Sequence, residues 1–91
     1  MMSFEDLEKA VIFWAHERGI LPDRLENATR TKLCKVMEEV GEIAHGEVRK
    51  LPAEIEDAIG DTLITLAIYS SMYDLDSGRQ CLQQISSCIT R

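Results

Sequence analysis

From Thr29 to Leu51 the chain reads TRTKLCKVMEEVGEIAHGEVRKL, and from Pro52 to Tyr73 it reads PAEIEDAIGDTLITLAIYSSMY. In the first segment Leu33, Met37, Val40, Ala44, Val48 and Leu51 recur at helical spacing, and Thr29 is a good N-cap. Pro52 cannot continue that helix but fits the first turn of a new one, with Glu54 near its positive end. The next helix is predicted to run to about Tyr73, with Ile55, Ile59, Leu63, Leu66 and Tyr73 on one face. The β-branched residues between Ile64 and Tyr69 lie inside this long helical period, with no turn signals around them, so no strand is expected. A break this short makes the two helices antiparallel neighbours.

The flanks follow the same logic. Ser3 and Asp6 form a capping box with the shorter acid, and Phe4, Leu7, Val11 and Trp14 continue at helical spacing, so a helix is predicted from about Ser3 to Arg18. Gly19 stops it, and Ile20 to Ala28, with Pro22, Asp23 and Asn27, has turn chemistry. Beyond Asp74–Asp76, Ser77 and Gln80 make another capping box, and Leu82, Ile85 and Ile89 are expected to form the inner face of a last helix. Four helices with short connections imply an all-α, antiparallel four-helix bundle, one domain over residues 1–91 with no repeat or linker.

Composition excludes several functions. A formal charge of −6 argues against direct binding to DNA, RNA or an anionic membrane, because no basic stripe is present. The start lacks a basic segment and the longest apolar run, Val11 to Ala15, is too short to span a bilayer, so a soluble, cytoplasmic protein is expected. Cys34, Cys81 and Cys88 match no metal or redox spacing and are expected to be reduced, half-buried thiols. The negative charge is concentrated: without Glu38, Glu39, Glu42, Asp57 and Asp61 the net charge would be −1 instead of −6.

Those five acids make the candidate site. At about 100° per residue, Glu38, Glu39 and Glu42 share a sector of roughly 100°, while Asp57 and Asp61 lie four apart on one face of the following helix. Glu42 and Asp61 stand almost level when counted back and forward from Leu51. The line Asp57, Asp61, Thr65 continues into Ile68 and Met72, so a face that is acidic at one end is apolar at the other, which a merely solvated face would not be. Crowded carboxylates on such a face need a cation, and oxygen-only ligands suit magnesium or manganese better than zinc or copper. The competing interpretation is a set of solvated acids, with Lys35 pairing with Glu39.

Lys35-Val36-Met37-Glu38-Glu39-Val40-Gly41-Glu42, followed after a helical hairpin by Asp57-Ala58-Ile59-Gly60-Asp61, resembles the MazG-like, all-α nucleoside triphosphate pyrophosphohydrolases. The resemblance takes in about residues 10–85, including the helix of Trp14 and the loop at Gly19. It implies hydrolysis of a nucleoside triphosphate to monophosphate and pyrophosphate. It also implies magnesium bound by Glu39, Glu42 and Asp61, with Glu38 as a further ligand or water-activating base. The family's second motif has an acid three residues before its final aspartate, where this chain has Ala58; Asp57, one turn before Asp61, is the substitute ligand expected. Glu38 or Glu39 could accept the proton of the attacking water. Lys35, Lys32 or Arg49 could hold the departing phosphates, unless they are ordinary surface charges. Trp14 either packs in the core or stacks on a nucleobase.

Two other functions compete. Glu42-Ile43-Ala44-His45 has the Glu-x-x-His spacing of carboxylate-bridged di-iron bundles, which would leave Asp57 and Asp61 without a role. A catalytically silent helical interaction module is the other. Self-association is expected in each case. The third helix has one apolar side through Ile59, Leu63 and Leu66 and another through Ile68 and Met72, which a bundle this small cannot both cover, and a homodimer or homotetramer follows.

Overall fold

Ser3 is extended, with φ −71° and ψ 164°; its hydroxyl accepts from the Asp6 amide at 3.1 Å, and its own amide donates to the Asp6 carboxylate at 3.4 Å. This capping box opens helix α1, Phe4–Glu17. The computed structural model describes residues 2–74 and 77–90, and among them the chain forms four α-helices and no strand. Arg18 closes α1 by donating to the Trp14 carbonyl, and Gly19, at φ 74°, turns the chain away as only a residue without Cβ does freely. The Ile20 and Leu21 amides both donate back to the Ala15 carbonyl, which fixes the start of the loop over residues 20–27.

Helix α2 spans Ala28–Arg49. Its N-cap is Asn27, not Thr29: Asn27 adopts φ 63°, a conformation asparagine tolerates better than most residues, and Thr29 falls inside the first turn. Lys50, also left-handed at φ 58°, ends α2, and Pro52 starts α3, Pro52–Ser71. Helix α4 is Ser77–Thr90. The capping box expected from Ser77 lies outside the described residues, as does the side chain of Cys81. Cys34 and Cys88 are free and exposed, a correction to the half-buried thiols expected. No helix among the described residues is long and apolar enough to cross a membrane.

Helices α2 and α3 form a tight antiparallel hairpin, α1 packs on α3, and α4 touches α1 and α3. Small residues set the closeness of the hairpin. A Cβ at Gly46 would lie 2.8 Å from Ile55 Cγ1 and 3.3 Å from the Ile55 amide nitrogen, and Ala58 is buried. Beside the hairpin, Ala15, Leu21 and Ile68 form a buried cluster with Val11, Ile12, Ile20, Ile64 and Met72 against it.

The apolar lines read from periodicity are not the buried ones. Leu33, Met37, Val40 and Val48 on α2 are exposed, as are Ile59, Leu63, Leu66 and Tyr73 on α3. The residues withdrawn from solvent are instead Val36, Glu39, Ile43 and Gly46 of α2 and Ile55 and Ala58 of α3, with Gly46 packed against Ile55. Periodicity finds the face with the most apolar atoms, whereas helix pairing favours the face on which backbones can approach most closely. Phe4 and Leu7 on α1 are likewise exposed, and Leu82, Ile85 and Ile89 are outward-facing, contrary to the inner face expected for α4.

Candidate metal centre

Glu39 and Glu42 occupy successive turns of one helix, and Asp61 stands opposite on its antiparallel neighbour. The level pairing expected from the hairpin is realised. Ligand oxygens of the three residues lie within 4.8 Å of one another, close enough to share one ion. Their environments differ. Glu42 and Asp61 are exposed, but Glu39 retains only 5% of its accessible surface. One Glu39 oxygen, Oε1, meets Lys35 Nζ at 3.2 Å, while Oε2 is buried without a hydrogen-bond partner. Leaving a buried carboxylate oxygen unpaired is costly, and a cation, a proton shared with Glu42 or a water donor would each offset that cost. The charge of Glu39, with some desolvation, raises the pKa of Glu42 above the usual carboxylate value.

Glu39 and Asp61 line a cleft of about 460 Å³, and Glu42 completes the trio beside it. Trp14 and Ile20 enter it from α1 and its following loop, Lys32 and Lys35 from α2, and Ile64, Thr65 and Ile68 from α3. All three side chains expected to bind substrate, Lys35, Lys32 and Trp14, therefore line the space next to the acids. Trp14 is 44% exposed, not a core residue, and the Arg18 guanidinium sits 5.8 Å from its ring centroid. Hydrogen bonds from Lys35 to Glu39 and then Glu38 raise the lysine pKa and keep it protonated. Lys32 makes a 3.0 Å pair with Asp23, whose pKa is lowered first by that bond and then by the Leu25 amide.

Other expected ligands stand apart. Glu38 is exposed and pairs with Lys35 at 3.4 Å, about 100° around the helix from Glu39. Asp57 is exposed and does not join the trio, because it sits one turn, about 6 Å, along α3 from Asp61. Ala58, at the position where the related motif has an acid, faces α2 and is buried, so no ligand takes its place. Arg49 lies in the last turn of α2, at the hairpin end. His45 does not converge with Glu42; its Nδ1 lies 2.7 Å from Glu54 Oε1, joining the two helices below the trio. A larger hollow of about 1010 Å³ opens between residues 21–30 and the end of α3, but it contains no convergent acids among the described residues.

Sequence reasoning missed the Asp23–Lys32 pair and the cation over Trp14. Asp23 was recognised as a turn residue, and its Oδ1 does accept from the Leu25 amide at 3.1 Å. The second oxygen's partner lies nine residues away across an irregular loop, where no periodicity operates.

Fold and site together define an all-α protein with three convergent carboxylates at the edge of a half-apolar cleft. No family model matches the chain, and no solved structure matches it. It is 30% identical over 77 residues to an uncharacterised 18.2 kDa protein in the rep-hol intergenic region of Haemophilus phage HP1 (strain HP1c1). The match takes in 85% of this chain and 45% of that protein, so the chain spans about half the length of the curated relative it matches.

Proposed function

We propose that the cleft hydrolyses nucleoside triphosphates to monophosphate and pyrophosphate, with magnesium or manganese held by Glu39, Glu42 and Asp61. The observation that carries this reading is the buried, unpartnered Oε2 of Glu39 facing two further carboxylates across an antiparallel hairpin. Those residues fit a hard dication: all donors are oxygen, and two are on one helix and one on the other. When bound, the ion supplies the charge that offsets a polyanionic substrate and polarises the phosphoryl group under attack.

The chain's own groups have separate tasks. Lys35 and Lys32 are placed to hold phosphates, Lys35 from its pairing with Glu38 and Glu39 and Lys32 by exchanging Asp23 for substrate. Glu38, with its carboxylate outside the trio, is the base that accepts a proton from water. Trp14 gives the sugar or base a flat apolar surface, and Ile20, Ile64 and Ile68 exclude water behind it. The motif resemblance to MazG-like enzymes supports the same chemistry. The orientation of His45 toward Glu54 weighs against a di-iron site built on Glu42 and His45.

The test is pyrophosphate release from a panel of ribo- and deoxyribonucleoside triphosphates with magnesium, manganese or a chelator. We expect metal-dependent cleavage of at least one nucleotide, reduced by roughly a hundredfold or more in Glu42→Gln and in Asp61→Asn with helical content intact. If no nucleotide is cleaved above background with either metal, the proposal fails.

A further inference from the structure

Lys32 stands between two spaces. Its side chain lines the cleft that also holds Glu39 and Asp61, while Asp23, its partner at 3.0 Å, lines the larger hollow beside the end of α3. The pair is largely withdrawn from water, with 20% of the lysine side chain and 11% of the aspartate side chain accessible. Its two ends are held unequally. Asp23 is fixed to its loop, because Oδ1 accepts from the Leu25 amide at 3.1 Å and the Ile20 and Leu21 amides anchor the loop to the Ala15 carbonyl. Lys32 carries its charge on a flexible four-carbon stem and has no other ion-pair partner among the described residues.

Along α2 the polar groups of the cleft follow in order. At about 1.5 Å per residue, Lys35 lies about 6 Å before Glu39 along the axis and Lys32 about 4.5 Å before Lys35. A triphosphate attacked beside the acids therefore presents to the two lysines the phosphates that leave. An anion that takes Lys32 must draw it from Asp23, which cannot follow and is left mostly buried without its cation. That loss opposes the binding of every anion at Lys32 and is recovered when the anion departs. The Asp23 carboxyl is held below its ordinary pKa by the Lys32 bond and then the Leu25 amide, so it competes as an anion wherever phosphate is charged.

We propose that Asp23 is a release residue, which competes with phosphate for Lys32 and so speeds the departure of pyrophosphate from the cleft. This inference rests on the nucleotide chemistry proposed above and adds to it a residue that ends the cycle. Asp23 acts through Lys32, as a positioning residue. If it only stapled the loop, its replacement would weaken binding; as a competitor, its replacement strengthens binding.

Calorimetric titration of the full chain with inorganic pyrophosphate at fixed magnesium, beside steady-state kinetics on a cleaved nucleotide, tests it. Asp23→Asn, whose amide oxygen can still accept from Leu25, is expected to bind pyrophosphate about tenfold more tightly than the parent and to lower KM and kcat together. Asp23→Glu, which keeps the carboxylate, is expected to move both back toward the parent values. Lys32→Ala should weaken binding, and adding Asp23→Asn to it should bring no gain. Should circular dichroism show that Asp23→Asn does not fold, Asp23→Ser, with a hydroxyl as acceptor, is expected to show the same tightening. Pyrophosphate bound no more tightly by the folded variant would overturn the proposal, as would a gain that persists without Lys32 or a kcat unchanged despite tighter binding. Any of these in a chain that cleaves nucleotides removes the role of Asp23 alone, whereas a parent chain that neither cleaves nucleotides nor binds pyrophosphate removes the cleft chemistry with it.

Discussion

Glu42 concentrates the electrostatics of the site in one side chain. The Glu39 charge beside it, with smaller contributions from desolvation and from Asp61, makes its carboxyl easier to protonate in the folded chain than in the unfolded one. The folded state therefore binds more protons than the unfolded state across the window from the ordinary glutamate value upward. The resulting stability is present below the ordinary value and is lost as pH rises through the raised folded value. Without metal, Glu42→Gln should remove this dependence: its thermal midpoint should exceed that of the parent chain at neutral pH and approach it in acid. With magnesium the sign reverses, because the ion binds the ionised form, and the midpoint gain on adding magnesium should grow as pH rises through the same window. Identical pH profiles for the two proteins would show that Glu42 does not feel Glu39. At this scale the sequence was informative about residue types and levels, since Glu39, Glu42 and Asp61 converge as their spacing from Leu51 required. It was silent about which acid is buried. Nothing in Glu38-Glu39 distinguishes the two until α3 covers one and leaves the other beside Lys35.

At the level of elements, two helical glycines make the packing argument measurable. At Gly60 an added Cβ would meet nothing within 4 Å, so Gly60→Ala should follow intrinsic propensity and stabilise by up to about 1 kcal/mol. At Gly46 the same change drives a methyl group to 2.8 Å from Ile55 Cγ1 and 3.3 Å from a backbone nitrogen, which can yield only by separating the helices. Gly46→Ala should therefore destabilise, with overpacking of about 1–3 kcal/mol exceeding the propensity gain. Denaturant midpoints of opposite sign for the two variants are the expected result, and equal signs would mean that hairpin closeness is not set at Gly46. Lys50 offers a further check. It holds φ 58° at the end of α2, where glycine is unstrained, so Lys50→Gly should stabilise by about 0.5–1 kcal/mol in the same measurement. The existence of these helices was legible from period, Ser3, Gly19 and Pro52. Their pairing faces were not, because Leu33 and Met37 carry more apolar area than Gly46 or Ala58 yet prevent the close approach that those small residues allow.

For the molecule as a whole, the same geometry leaves little apolar matter inside a single chain. The buried cluster is Ala15, Leu21 and Ile68, and no large side chain among the described residues is completely buried, while apolar residues on α2, α3 and α4 face outward. So small an interior supplies little stability, and the exposed apolar stripes on α2 and α3 are a reserve from which burial could add more. A second copy covering these stripes would link association to folding by mass action. The thermal midpoint should rise by a few degrees for each tenfold or so increase in protein concentration, because only the folded state presents those stripes. In Met37→Glu the midpoint should be lower and independent of concentration, whereas Glu42→Gln, outside the stripes, should keep the parent's concentration dependence. A midpoint that stays constant over about a hundredfold range of concentration would mean that the single chain supports its own fold and that the exposed stripes contribute nothing to it.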